Sequence, residues 1–411
     1  MNIMTLEREL RYGTAILFQI FFSYAFRGVQ KYNFVLSSLI LLIAFGVKSY
    51  AVCMAFLLFN TSTLLSTIRQ KHKRVIILVL NLFVLQYVYH LFDDEISICS
   101  PIMMFSVKFF FLVAEIDWNT DSVGDVVAYL FSIPCILVGP AISFVDYKNL
   151  QKNAKQRVMK ETEGGKPPRK HPNDLIHCLK NVLYEQNGVI QGVYLCLQAV
   201  FYLWVYLLLS KHFVVYDVIN KKAYWRVFYM YIAHFCFKSK FYFVWTVSQL
   251  CNHLYGCTNL KNISKTGVEL AQDFKELTDS WNIYVNRWLK VAIFRPLKPY
   301  GYFFACFMTF LYSSLWHGTS ICYFTLFMSV PLIMKPMKSA KTFLYLCFPP
   351  RVAKVLNHLL FRFVLAYYGA PFMTLDMSKT FEIWNKLYFS GHLLIIPFLF
   401  IGNSKNIKPC C

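Results

Sequence analysis

Long apolar runs separated by short polar breaks dominate this 411-residue chain. They fall near residues 13–27, 34–59, 75–92, 101–115, 124–147, 189–210, 224–247, 300–317, 319–335, 354–374 and 386–402. A helix that crosses a bilayer needs about 20 predominantly apolar residues, so the pattern predicts about ten or eleven membrane helices, several too short to cross alone. The expected fold class is all-α: a polytopic transmembrane helical protein with some re-entrant or broken helices, forming a single membrane domain over residues 1–411. The run at 101–115 has acidic residues on both sides: Asp93-Asp94-Glu95 before it, and Glu115, Asp117 and Asp121 after it. If acidic loops share the outer or lumenal side, this run cannot cross once. A re-entrant or half-buried helix is expected, which is tolerated only where protein surrounds it.

Two breaks are longer than the rest. Residues 148–188 are polar and basic and include Glu163-Gly164-Gly165-Lys166-Pro167-Pro168-Arg169-Lys170. They are expected to form a flexible cytosolic loop. Residues 258–298 differ, because Leu270, Phe274, Leu277, Trp281, Val285 and Trp288 recur at spacings of three and four. That periodicity predicts an amphipathic helix lying along the membrane surface. Pro296, Pro299 and Gly301 then break it before the next span.

Composition strengthens the membrane reading. Hydrophobic residues make up 57% of the chain and charged residues 15%, against about 25% charged in soluble proteins. The net charge of +21 would suggest nucleic acid in a soluble protein. Here the basic residues sit in runs between apolar segments, as in Arg69 to Arg74 and Lys335 to Lys341. That arrangement fits positive-inside topology and anionic headgroups, with the lipid bilayer as partner and no nucleic acid. The first apolar run is expected to be a retained span. The thirteen cysteines read as small buried hydrophobes, with Cys410-Cys411 open to palmitoylation. The sequons at Asn60 and Asn262 are expected to be unused. No P-loop, dinucleotide fingerprint, metal-ligand cluster or haem motif is present. The sequence leaves a homo-oligomer open.

The strongest chemical signal is a polar cluster in an apolar run, Ser313-Ser314-Leu315-Trp316-His317-Gly318. A histidine near membrane depth is costly, and imidazole is the natural general base near neutral pH. The bland alternative is a histidine that hydrogen-bonds a carbonyl and only packs helices. The second signal is Ser280-Trp281-Asn282-Ile283, where the Asn282 amide can donate to a developing oxyanion. Its bland alternative is a local helix cap. Asn282 and His317 are 35 residues apart; one straight helix would separate them by about 50 Å. The prolines turn the chain instead. A shared site then requires the Asn282 segment to sink below the membrane surface, into an intramembrane reaction chamber. Ser313 lies four residues before His317 on the same helical face and is expected to orient the imidazole. His392 reads as an interfacial histidine, and Gly139-Pro140 as a helix end or kink.

Trp281-Asn282 together with Trp316-His317-Gly318 resembles the signature of the membrane-bound O-acyltransferases. The chain looks most like the lysophospholipid acyltransferase branch. Val138-Gly139-Pro140, Phe144 and Tyr147 are similar to one of its elements, Lys240-Phe241-Tyr242 with Trp245 to another, and Pro371 to Leu375 with Trp384, Tyr388-Phe389 and His392 to its C-terminal pattern. Two positions depart from it: Thr319-Ser320-Ile321-Cys322 replaces a Pro-Gly-Tyr-Tyr element, and Gln249 stands where a Glu is common. Arg295-Pro296-Leu297 also resembles the porcupine branch, which acylates a secreted protein. The resemblance implies an endoplasmic reticulum enzyme that uses acyl-CoA as co-substrate, with no further cofactor and no metal. Its acceptor would be a lysophospholipid. His317 would be the general base and Asn282 the orienting or oxyanion-stabilising group, with Trp281, Ser313, Trp316 and Gly318 lining the substrate site. A protein or sterol O-acyltransferase of the same family is the alternative. A transporter is the alternative from another class, although the chain lacks the two related halves that transporters often show.

Overall fold

The computed structural model describes residues 3–91, 99–162, 174–257 and 260–400. Asp93-Asp94-Glu95, the Glu163–Lys170 stretch and Cys410-Cys411 lie outside the described residues. In chain order the first helices are α1 (Ile3–Ala25), α2 (Asn33–Leu65), α3 (Gln70–Leu91), α4 (Cys99–Glu115), α5 (Val123–Leu130) and α6 (Phe144–Thr162). They are followed by α7 (Asp174–Trp204), α8 (Ala223–Leu254), α9 (Lys265–Glu269), α10 (Phe274–Ser280), α11 (Ile283–Leu289) and α12 (Arg295–Leu297). The last are α13 (Tyr302–His317), α14 (Ile321–Cys347), α15 (Pro350–Thr374), α16 (Met377–Lys386) and α17 (Ser390–Phe400). No strand occurs among the described residues, so the all-α expectation holds.

Three helical stretches are long and apolar enough to cross a bilayer: Asn33–Leu65, Gln70–His90 and Gly188–Leu209. Their outer faces leave large apolar side chains uncovered, among them Leu58, Phe83, Val193 and Leu197. Such apolar surface is stable against acyl chains and not against water. The protein is an integral membrane protein. The chain divides into two compact units, Met1–Phe201 with Phe243–Asn262, and Tyr202–Tyr242 with Ile263–Cys411.

The first unit shows how a broken backbone survives at membrane depth. Residues 124–147, expected as one run, are not one helix. α5 ends at Leu130, a single 3₁₀ turn covers Ile133–Cys135, and α6 begins at Phe144. Pro134 and Gly139-Pro140 cause the break: proline supplies no N–H, and Gly139 adopts φ +83. Side chains from neighbouring helices satisfy the freed carbonyls. Gln19 donates to Ile133 O (3.0 Å), Asn33 to Ala128 O (3.1 Å) and Ser37 to Phe131 O (2.7 Å). The Lys108 ammonium caps α5 through the carbonyls of Tyr129 (3.0 Å) and Leu130 (2.8 Å). Ser248 donates to Pro134 O and Gly139 O, and the Tyr129 hydroxyl to Ile142 O. Gln19, Asn33, Ser37 and Lys108 are all buried. An unpaired carbonyl in hydrocarbon costs several kcal/mol (roughly), which is why these polar residues sit in apolar surroundings. α4 carries the re-entrant expectation, and its residues Phe105–Val113 are buried throughout, so protein does surround it. α6 and α7 also cover much of the expected loop at 148–188, and Asn60 and Asn262 are buried.

The second unit packs α14 and α15 against α13, α16 and α17. Its core joins Val218, Met230, Phe274, Phe361, Tyr367 and Trp384. His392 is half-buried here: its Nδ1 lies 2.6 Å from the Tyr367 hydroxyl and its ring 5.0 Å from that of Trp384. The segment at 258–298, expected as one amphipathic helix, is α9, α10, α11 and a further distorted stretch. Phe274, Val285 and Trp288 are buried as the stripe predicts, but Leu270 is exposed because the chain leaves the helix there. The prolines do not end this stretch. A π-helical turn at Lys290–Phe294 leads into α12, which accommodates Pro296, and a 3₁₀ turn at Lys298–Tyr300 accommodates Pro299. The break falls at Gly301, with φ +126.

Candidate active site

α13 stops at His317 because Gly318 follows it at φ +129, a conformation costly for any residue with a Cβ. The imidazole is half-buried and framed by rings. Phe327 stacks on it at 5.0 Å and 18°, Tyr323 lies 5.8 Å away, and Phe372 meets it edge-on at 6.3 Å. Among the described residues no hydrogen bond engages this imidazole. Ser313 is buried one turn earlier, yet no hydrogen bond joins it to His317, so the expected orienting contact is not made. Stacking on Phe327 sets the ring's plane instead. His317 therefore packs α13 against α14 and α15 through ring contacts and not through a carbonyl hydrogen bond.

Asn282 sits between α10 and α11 in the left-handed conformation, φ 45 and ψ 56. Asparagine is among the few residues that adopt it at modest cost. Its carbonyl starts α11 by accepting from Asn286 N at 3.0 Å, but its side chain makes no capping bond. Asn282 thus stands at the N-cap position of α11 while the main chain, and not its side chain, makes the turn. Asn286 closes the turn from the other side, donating from Nδ2 to Thr278 O at 2.7 Å. Asp279 adds a second clasp, with Lys275 Nζ at 2.8 Å and Lys290 Nζ at 2.6 Å. Burial alone would push the Asp279 carboxyl up, but these two ammonium groups outweigh it and hold it below the usual carboxylate range.

Aromatic packing brings the two motifs into one neighbourhood, entirely within the second unit. Trp288 of α11 is buried against Tyr312 (5.7 Å) and Trp316 (5.3 Å) of α13. A second path runs from Trp281 to Phe241 (5.6 Å), from Phe241 to Phe372 (6.2 Å, stacked) and from Phe372 to His317. Trp316 and Gly318 are buried, and Trp281 is half-buried. The sequence reading gave no site role to Phe327, Phe372, Asn286 or Asp279. Asn286 and Asp279 bracket Asn282 in sequence, which is the one signal that pointed to them. Phe372 lay within the Pro371 to Leu375 element of the resemblance without being tied to the site, and Phe327, from a distant helix, left no local trace. No group of three His, Cys, Asp or Glu is placed to hold a metal ion among the described residues.

Comparison with known proteins supplies the wider context. Residues 26–377 match the membrane-bound O-acyltransferase family. The chain is 26% identical over 317 residues to a lysophospholipid acyltransferase of Saccharomyces cerevisiae, covering 68% of this chain and 49% of that one. It is 23% identical over 294 residues to membrane-bound glycerophospholipid O-acyltransferase 2 of Gallus gallus, covering 66% and 55%. It is 28% identical over 209 residues to lysophospholipid acyltransferase 2 of Arabidopsis thaliana, covering 45% and 44%. The chain thus spans about half the length of the curated relatives it matches. With the match running through both the Asn282 turn and the His317 helix end, the chain belongs to the membrane-bound O-acyltransferase family.

Proposed function

We propose that this protein is an acyl-CoA-dependent O-acyltransferase of the endoplasmic reticulum that esterifies the free hydroxyl of a lysophospholipid. The observation that carries this reading is an imidazole free of hydrogen bonds among the described residues, framed by rings that connect through Phe372 and Phe241 to Trp281. The names of the relatives support the choice of acceptor.

The lysophospholipid enters from the bilayer and acyl-CoA from the cytosolic side. His317 removes the proton of the acceptor hydroxyl as its oxygen attacks the thioester carbonyl. Negative charge moves to the carbonyl oxygen, where the Asn282 amide donates a hydrogen bond. The tetrahedral intermediate collapses, the carbon–sulfur bond breaks, and the imidazolium returns its proton to the departing thiolate. The products are a diacyl phospholipid and free CoA, with no acyl-enzyme. Phe327, Tyr323 and Phe372 exclude water, which would otherwise hydrolyse the thioester.

The test is acyl transfer in microsomes carrying the full chain, with a labelled long-chain acyl-CoA and a panel of lysophospholipids. Wild type should form a labelled diacyl product. His317→Ala should lose about 10²–10⁴-fold in rate, the range for a general base, and Asn282→Ala about 10²–10³-fold. Normal transfer by His317→Ala overturns the mechanism. Labelling of peptide or sterol, with no lipid labelled, overturns the acceptor.

A further inference from the structure

Behind the Asn282 turn lies a buried ionic cluster that the mechanism above does not use. Glu269, at the end of α9, accepts from Lys238 Nζ at 2.6 Å and, on its other oxygen, from Arg362 Nη1 at 3.4 Å. The Tyr242 hydroxyl also donates to Glu269. Lys238, Arg362 and Tyr242 are all buried. Glu269 is half-buried, and burying the Lys238 and Arg362 charges costs several kcal/mol (roughly) per ion unless each is paired. A buried ion pair adds little net stability over apolar packing, and the contacts of this one lead to the Trp281-Asn282 turn. Tyr242 sits edge-on to Trp281 at 6.2 Å, one residue from Asn282. Arg362 Nη2 donates to Val268 O, and Asn357 Nδ2 donates to Gln272 O at 2.9 Å, so α15 grips the chain on both sides of Glu269. The Ser264 N–H donates to Ser280 O at 2.9 Å, closing the 264–280 segment into a loop that ends at Trp281.

We propose that Glu269 is a positioning residue for acyl transfer: held between Lys238 and Arg362, it fixes Tyr242 against Trp281 and so fixes where the Asn282 amide points. This rests on the acyltransferase reading above. Glu269 does not touch the reacting atoms. It acts through Tyr242 and Trp281, and its loss loosens the oxyanion donor without removing it.

Two measurements on the full-length protein test this. The first is steady-state acyl transfer by Glu269→Gln and by Tyr242→Phe, which removes one hydroxyl and keeps the ring. The second is hydrogen exchange, followed by mass spectrometry, over residues 278–289, 302–317 and 350–374. Misplacement by about 1 Å costs up to about 100-fold in rate. Glu269→Gln should therefore lower kcat about 100-fold and Tyr242→Phe roughly 10-fold, each with KM for acyl-CoA and acceptor within about twofold. Exchange should rise over 278–289 and stay unchanged in α13 and α15. An unchanged kcat overturns the proposal, and a raised KM with kcat intact makes Glu269 a substrate contact instead. Faster exchange in all three segments makes it a general structural support, which also overturns the proposal. If wild type labels no lysophospholipid, the acceptor reading fails by itself. The exchange pattern then still decides whether Glu269 holds the Asn282 turn.

Discussion

Gly267 is the position where the smallest change should have the largest consequence for the site. It lies in α9, and a Cβ added there would stand 2.4 Å from Ser280 Oγ, 2.9 Å from Ser264 Oγ and 3.0 Å from Ser280 Cβ. Carbon contacts normally settle at about 3.5–4.0 Å. The Ser280 side chain must therefore retreat by roughly 0.5–1 Å, and turning the hydroxyl does not relieve the contact at Cβ. Ser280 immediately precedes Trp281 and is tied to Ser264 through the backbone, so its displacement passes into the Asn282 turn. Overpacking of this kind costs about 1–3 kcal/mol of stability. The effect on rate should be larger in proportion, up to about 100-fold in kcat. The assay is steady-state acyl transfer by Gly267→Ala beside Gly13→Ala, where an added Cβ meets nothing within 4 Å. Gly13→Ala should match wild type. The double variant Gly267→Ala with Ser280→Gly removes both close contacts of Ser280 and should recover most of the lost rate. Full activity in Gly267→Ala, or a double variant no better than the single one, refutes the reasoning.

Two further outcomes are expected. Gly391→Ala would place a Cβ 2.3 Å from the Tyr367 ring, which is fully buried and stacked on Trp384; the clash should cost about 3 kcal/mol, and an unchanged thermal midpoint in detergent would refute it. Asp279 has a depressed folded-state pKa, so its contribution is complete above the unfolded value of about 3.9 and is lost only as pH falls through the lower folded value. Asp279→Asn should therefore lower the thermal midpoint by the same small amount at about pH 6 and about pH 8, and an effect that grows across that window would refute the assignment.

Hydropathy placed α4, α13 and α15 within about four residues but missed the polar ends of α1, α7 and α14 by ten residues or more, because a helix can continue beyond its apolar run. The same measure failed at 124–147, where a buried irregular segment is as apolar as a helix. What separates them is whether the carbonyls find donors, and those donors are Gln19, Ser37, Lys108 and Ser248, far away in sequence. Periodicity failed in a different way at 258–298. The three-and-four spacing of Phe274, Leu277, Val285 and Trp288 persists across the Asn282 break because both short helices bury the same side. His317 and Asn282 stood out as polar residues in apolar company. Glu269 did not, because its partners Lys238 and Arg362 lie 31 and 93 residues away.

That break also keeps the Asn282 side chain out of the helix cap. In an unbroken helix Asn282 would lie about 100° around the axis from Trp281, and its amide would follow the helix surface. At a conventional N-cap the Asn282 side-chain oxygen would accept from a backbone N–H of the first turn, which would tie the amide group to the helix end. The left-handed turn avoids both outcomes, since the main chain starts α11 through Asn282 O and leaves the side chain out of the capping. The conformation carries a penalty of roughly 1–2 kcal/mol for most residues, less for asparagine, and it persists only where neighbours over-determine it. Here Asn286 of α11 and Asp279 of α10 clasp it from either side, and Tyr242, bonded to Glu269, packs against Trp281. A donor aimed at an oxyanion must be fixed before the charge develops, because reorganisation during the reaction would cancel its benefit. On the proposed mechanism, the polar groups around Asn282 are the structure that would hold its amide still.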